Sequence, residues 1–267
     1  MVLGYDELRP KKENYLDFLD KFVKGLEKIG NKDIGLMIYG SFIRGDSDFG
    51  RSDIDAVLVF PEVITDKKLV NQIAYSISDA QKGNNLPLEI TPVDLTTMSD
   101  GRFNSYDPSF EKYFKSEGKI IFGLDYRNKF TFEFPTMPDQ GQITANLWKS
   151  RRALLMSELN LQKDYKKFLE EFEETLNKTS RASKQIIGLT DGNLRLNRFS
   201  ALEEISQIFP QVDITPLKKI KYLYKNLKEL DEVYKHPGEV LKIWNSSLTF
   251  FEEMIKAYLD ANQRTRQ

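Results

Sequence analysis

The sequence has no cysteine and, in 267 residues, a single histidine, His236. Without thiols there is no disulfide, no thiolate metal site and no cysteine nucleophile. A Ser-His-Asp arrangement or a histidine-bound zinc would have to be built on His236. That residue stands in "YKHPGEV", a helix-breaking segment that reads as surface loop. No run approaches the roughly 20 consecutive apolar residues of a membrane-spanning helix. The first residues, "MVLGYDELRPKKENY", lack the apolar stretch of a signal peptide, so a cytoplasmic location is expected, with no membrane partner. An excess of either charge is also missing, with 39 Lys and Arg against 40 Asp and Glu. A chain whose main work is to neutralise nucleic-acid phosphates carries a positive surplus, so nucleic acid is not an expected partner.

What remains is an ordinary globular composition, 40% hydrophobic and 30% charged, long enough for one large domain or two modest ones. Tyr15, Phe18, Leu19, Phe22, Val23, Leu26 and Ile29 recur at helical spacing. "IGLMIY" follows as a short strand, then a polar, glycine-punctuated stretch over 40–52, then "IDAVLVF" as a second strand. "TDKKLVNQIAYSISDAQK" predicts a helix capped by Thr65 or Asp66. "NNLPLEITPVDL" predicts a third strand, which Pro92 places at a sheet edge or beside a bulge. "PSFEKYFKSEG" reads as a helix and "KIIFG" as a short apolar segment.

Strands and helices thus alternate over the first half. "TFEFPTMPDQGQ" marks a boundary near residue 135, giving domains over 1–135 and 136–267. Beyond it the apolar period is helical over 142–178, 180–189, 198–208, 215–233 and 238–262, which predicts an all-α bundle. The fold class is α+β. Within the bundle, the acidic run "EEFEETL" and the basic run "PLKKIKYLYKNLK" read as solvated helix faces, and Trp148 and Trp244 as core anchors.

The stretch "MIYGSFIRGDSDFGRSDIDAVLVF" does not fit a purely structural reading. Asp53 and Asp55, two apart at the mouth of a strand, point to the same face. Their mutual repulsion calls for a divalent cation with oxygen ligands, Mg²⁺ above all, which also accepts a nucleotide's phosphates. Gly40 lets backbone approach a ligand, Ser41 offers a hydroxyl and an N–H to phosphate, and Gly45 and Gly50 keep the loop compact. Arg44, Arg51 and Ser52 stand within reach as further nucleotide contacts. A third carboxylate is available in "PLEITPVDL" as Glu89 or Asp94, whose odd separation lets only one of them face the site on a regular strand.

Hydrophobic-Gly-Ser ("YGS", 39–41) followed by Asp-hydrophobic-Asp-hydrophobic ("DIDA", 53–56) resembles the signature of the polymerase-β-type nucleotidyltransferase superfamily. "LEIT" is similar to a Leu-Glu-(Val/Ile)-Thr run of the streptomycin- and spectinomycin-type aminoglycoside adenylyltransferases, whose plan also places a helical domain after the catalytic one. The resemblance implies an N-terminal domain of mixed sheet flanked by helices, with Mg²⁺ (or Mn²⁺) and ATP on Asp53, Asp55 and Glu89, and Glu89 as general base. It further implies transfer of AMP to a hydroxyl with release of pyrophosphate. Antitoxin-like relatives that adenylylate proteins are little more than the catalytic domain, so a helical half of this size points to a small-molecule acceptor, a class that includes aminoglycoside-like antibiotics. A non-catalytic nucleotide-binding relative is expected to lose one of the carboxylates, and all three are present.

Overall fold

The structure, a computed structural model, describes residues 9–84, 86–100, 113–129, 140–195 and 197–263. They fall into two compact units, one within 3–135 and the other essentially within 136–267.

In the N-terminal unit, α1 (Lys12–Ile29) buries Tyr15, Phe18, Phe22 and Leu26, one residue per turn, and ends at Gly30, whose left-handed φ of 75° returns its N–H to the Leu26 carbonyl. The strands β1 (Gly35–Tyr39), β2 (Ile54–Phe60), β3 (Leu88–Asp94) and β4 (Lys119–Gly123) form one mixed sheet in the order β3-β2-β1-β4. β1 runs antiparallel to β2 and β4, and β3 parallel to β2. A four-residue turn of helix, α2 (Ser41–Arg44), lies between β1 and β2. The crossover that parallel pairing requires is α3 (Lys67–Gln81), started by Asp66, whose side chain accepts the Lys68 N–H. α4 (Leu95–Asp100) follows β3 directly.

Period two divides the sheet's side chains between two cores. Leu36, Ile38, Ile54, Ala56, Leu58 and Phe60 pack beneath α1 and α3. Met37, Val57, Val59 and Val93 make a smaller cluster on the other face with Met98, Phe114 and Tyr126. α1 and α3 pack closely because Gly25 lacks a Cβ, which would stand 2.8 Å from that of Ser76. Pro92 does lie on an edge strand. The Ile54 N–H bonds to the Pro87 carbonyl, so in a parallel ladder odd-numbered residues of β3 bond to β2 and residue 92 would direct an N–H outward. Of the helix expected over 108–118, residues 113–117 form a single π-helical turn, and 108–112 lie outside the described residues.

Every regular element of the C-terminal unit among the described residues is a helix: α5 (Gln140–Leu155), α6 (Ser157–Lys163), α7 (Tyr165–Asp191), α8 (Leu202–Ile208), α9 (Thr215–Lys225), α10 (Leu227–Tyr234) and α11 (Pro237–Gln263). α7 and α11 lie against each other, with Trp244 fully buried between the rings of Phe168 and Phe172 at 5.7 and 6.3 Å. Most of the boundary stretch 131–142 is outside the described residues, and its last three positions already belong to α5.

Several expectations are corrected here. The helix expected over 142–178 is three helices. Asp164 leaves helical geometry (φ −153°, ψ 89°) and its carboxylate accepts the Lys167 N–H, which starts α7 afresh. α7 then runs unbroken past residue 180, and the hydroxyls of Thr179, Ser180 and Ser183 are satisfied by carbonyls three or four residues earlier. The helix expected over 215–233 divides at Asn226, whose side-chain amide donates to the Tyr222 carbonyl. Trp148 is 59% exposed rather than a core anchor, and the Arg152 guanidinium lies 5.8 Å from its ring. His236 is exposed between α10 and α11. No helix among the described residues is long and apolar enough to cross a membrane.

Arg195 ties the end of α7 to α8, with Nε 3.0 Å from both carboxylate oxygens of Glu204 and Nη1 2.9 Å from Asp191. Its guanidinium holds the Asp191 carboxyl down at about 2. The folded value lies below the unfolded one of about 3.9, so the stabilisation is complete above about pH 5 and is lost as pH falls through 2. After allowance for solvent screening it amounts to about 1–2 kcal/mol. Asp191→Asn should therefore be less stable than wild type by that amount at pH 6 and equal to it near pH 2, as measured by urea unfolding across the range.

Candidate active site

Asp53 precedes β2 and Asp55 is its second residue, on the parity of Val57 and Val59 and opposite that of Ile54, Ala56 and Leu58. The strand has to enter the sheet in this register to put its apolar side chains into the two cores, and both aspartates then stand on the face away from α1 and α3. Asp55 is paired with Tyr39 of β1 on one side and Glu89 of β3 on the other. Glu89 takes the parity of Thr91 and Val93, while its neighbours Leu88 and Ile90 pack toward α1 and α3. One carboxylate oxygen from each of Asp53, Asp55 and Glu89 lies within 4.8 Å of the other two; the aspartates are half-buried and Glu89 is exposed.

Asp94 falls on the opposite parity and is used elsewhere. Its carboxylate accepts the Thr97 N–H at 2.8 Å and the Thr97 hydroxyl at 2.7 Å, fixing the start of α4.

Gly40 brings the β1–β2 connection against this cluster. Its φ of 78° and ψ of −158° belong to a region essentially reserved for glycine. A Cβ there would stand 2.2 Å from Oδ2 of Asp55. Ser41, the first residue of α2, is half-buried beside it; its carbonyl accepts the N–H groups of Gly45 and Asp46, and its Oγ accepts from Ser47 at 3.3 Å.

The remaining sequence candidates shape the loop. Arg44 donates to both oxygens of Glu117 at 3.1 Å and lies 3.2 Å from Asp46. Ser52 closes a turn with Asp48, its Oγ accepting the Asp48 N–H at 2.9 Å and its own N–H reaching the Asp48 carbonyl at 2.8 Å. Arg51 is half-buried in the same turn. The structure thus brings together Gly40, Ser41, Asp53, Asp55 and Glu89, and directs Arg44 and Ser52 into internal contacts. Two residues without a role in the sequence reading, Tyr15 and Glu117, meet this loop from 35 and 73 residues away. No local pattern marks either.

Residues 19–121 match the family model of the nucleotidyltransferase domain. The N-terminal unit is a nucleotidyltransferase domain. The match opens inside α1 and ends inside β4, so it encloses the three carboxylates and the glycine loop, covers less than half of the chain and omits the helical unit. Among solved structures the chain is similar to spectinomycin adenyltransferase AAD(9) from Enterococcus faecialis, in a crystal with ATP and spectinomycin. That similarity has a TM-score of 0.45 and 15% sequence identity over 87% of this chain and 99% of the other. No curated protein sequence matches the chain.

The nucleotidyltransferase domain gathers an all-oxygen donor set, which suits a hard divalent cation of the Mg²⁺ type. Unit charges that close repel by about 1 kcal/mol per pair in bulk water and by several times that at a protein surface, so a bound cation stabilises the arrangement. Gly40→Ala should displace the Asp55 carboxylate and reduce stability by about 1–3 kcal/mol through backbone strain and the clash together. Chemical unfolding measures the loss, and a crystal structure of the variant shows the shift.

Proposed function

We propose that this nucleotidyltransferase moves AMP from ATP to a hydroxyl of a small-molecule acceptor, with Mg²⁺ as the working cation and pyrophosphate as the second product. The convergence of Asp53, Asp55 and Glu89 within 4.8 Å, beside a glycine that lets backbone approach, supports the reading most directly. Asp53 and Asp55 would hold the cation, with Glu89 as a third carboxylate; when bound, it would screen the phosphate charge and the charge developing on the entering and leaving oxygens.

The chain's own groups do the rest. Gly40 and the Ser41 hydroxyl receive the phosphates on the side of β1, with Arg51 adding positive potential from the loop; the Arg44 charge is taken up by Glu117 and Asp46. Glu89, exposed at the sheet edge, accepts the proton of the acceptor hydroxyl as its oxygen attacks the α-phosphorus. The bond between the α-phosphorus and the bridging oxygen breaks, and both of its electrons leave with pyrophosphate. The helical unit supplies the acceptor's surface. Its size, seven helices among the described residues, favours a small-molecule acceptor over a protein one, and an aminoglycoside-like polyol is the class to screen first.

Calorimetry of ATP binding with and without Mg²⁺, followed by acceptor screening through pyrophosphate release, tests this reading. Asp53→Ala and Asp55→Ala should stay folded, lose Mg²⁺-dependent ATP binding and fall below detectable turnover. Glu89→Gln should lower kcat by about 10²- to 10⁴-fold. Undiminished turnover in either aspartate variant would sink the assignment.

A further inference from the structure

Asp53 stands outside the regular strand, so its position depends on the two peptide groups that flank it. The one after it is fixed by the sheet, through the 3.0 Å bond from the Ile54 N–H to the Pro87 carbonyl. That bond also sets β3, and with it Glu89, relative to β2. The one before it is fixed by a side chain from a different element. The Tyr15 hydroxyl donates to the Ser52 carbonyl at 2.6 Å and accepts the Gly50 N–H at 3.3 Å. Because a peptide group is planar, holding the Ser52 carbonyl holds the nitrogen of Asp53 and orients its Cα.

The Tyr15 ring reinforces this grip. It stacks on Phe42 of α2 at 5.9 Å and meets Phe49 edge-on at 5.2 Å. One residue of α1 therefore touches both ends of the loop that runs from Gly40 to Asp53. Burial raises the phenol above its ordinary value, with the Gly50 N–H opposing the rise and the Asp53 charge adding to it. Tyr15 lies outside the stretch that matches the nucleotidyltransferase family model, which begins at residue 19.

We propose that Tyr15 is a positioning residue for the cation site, its hydroxyl fixing the peptide that aims the Asp53 carboxylate at Asp55 and Glu89. This rests on the reading of those carboxylates as cation ligands. A cation of this type tolerates little displacement of its ligands, and outer partners that orient them are worth about 10- to 100-fold in affinity. Tyr15 acts through the backbone rather than on the ligand itself, so the expected effect is at the lower end of that range.

The test is Mn²⁺ alone, titrated into wild type, Asp53→Ala, Tyr15→Phe, Phe49→Leu and Phe18→Leu, with free ion read by electron paramagnetic resonance at a temperature where each protein is folded. Thermal unfolding is measured on the same samples. Wild type should bind and Asp53→Ala should not. Tyr15→Phe, which keeps the ring and removes the hydroxyl, should bind about 3- to 10-fold more weakly. Phe49→Leu should show a smaller loss. Phe18→Leu, in the core of the same helix, should unfold at lower temperature with unchanged affinity. Wild-type affinity in Tyr15→Phe overturns the positioning role and leaves the proposed function standing. Equal weakening in Phe18→Leu overturns it as well, since loosening α1 would then suffice. If Tyr15→Phe fails to fold, unchanged affinity in Phe49→Leu overturns it. A wild type that binds no Mn²⁺ overturns the proposed site and this inference together.

Discussion

The structure of the N-terminal unit depends on one pairing, the parallel register that sets Asp55 opposite Glu89. Nothing in the side chains favours it, since two carboxylates so close repel each other. The register is held by everything else along the two strands. Leu88 and Ile90 face α1 and α3 together with Ile54, Ala56 and Leu58, and Val93 joins Val57 and Val59 beneath the other face. A slip of one residue would exchange the two faces of β3 and expose its apolar side chains. Full burial of an aliphatic side chain contributes about 1.5–3 kcal/mol; on β3 Val93 is buried and Leu88 and Ile90 are half-buried, and together they outweigh the repulsion at the end of the strand. The charged cluster is therefore held by packing that lies away from it.

The same division explains why glycine stands at residue 40. β1 has to pair with β2 up to Tyr39 opposite Asp55, and the chain then turns away at the carboxylate itself. Any side chain at that turn would occupy the space of Asp55 Oδ2. Gly40 and Asp55 are one steric unit, although fifteen positions separate them in the sequence. The short helix α2 and the Asp48–Ser52 turn then carry the chain back to Asp53, and Arg44, bound to Glu117, ties the loop to the segment leading into β4.

Period and punctuation made much of this legible. β2 was readable over its whole length, since "IDAVLVF" is bounded by polar loop and turn residues, and of the two places Pro92 allowed β3, an edge or a bulge, the sheet order shows the edge. The parity of Glu89 and Asp94 showed that only one could face the aspartates. Only strand register and the Asp94–Thr97 contacts show which one it is, and these arise from pairing and from the helix that follows. The bundle was readable as helical but not in its divisions. Asp164 starts a helix afresh and Asn226 stands where one divides, while the more polar run around Ser180 continues with its hydroxyls satisfied within the helix. Trp148 has the composition of a core residue, and a helix can carry such a side chain outward beside an arginine one turn away. Acceptor choice is a matter of surface shape, which these periodic patterns do not encode.

Tyr15 shows why a single residue type can escape such a reading. At its position in α1 the periodic pattern asks only for something large and apolar, and the ring satisfies that. The hydroxyl adds a second function at no cost to the first, since it finds a carbonyl and an N–H of the loop as partners and is not left buried without them. A phenylalanine would fill the same space and leave the Ser52 carbonyl without this donor. The loop would keep its ring contacts, the Arg9 bond to the Gly50 carbonyl and the Arg44–Glu117 tie, none of which directs the Ser52–Asp53 peptide plane. The packing of α1 on the sheet and the aim of Asp53 are thus coupled through one side chain.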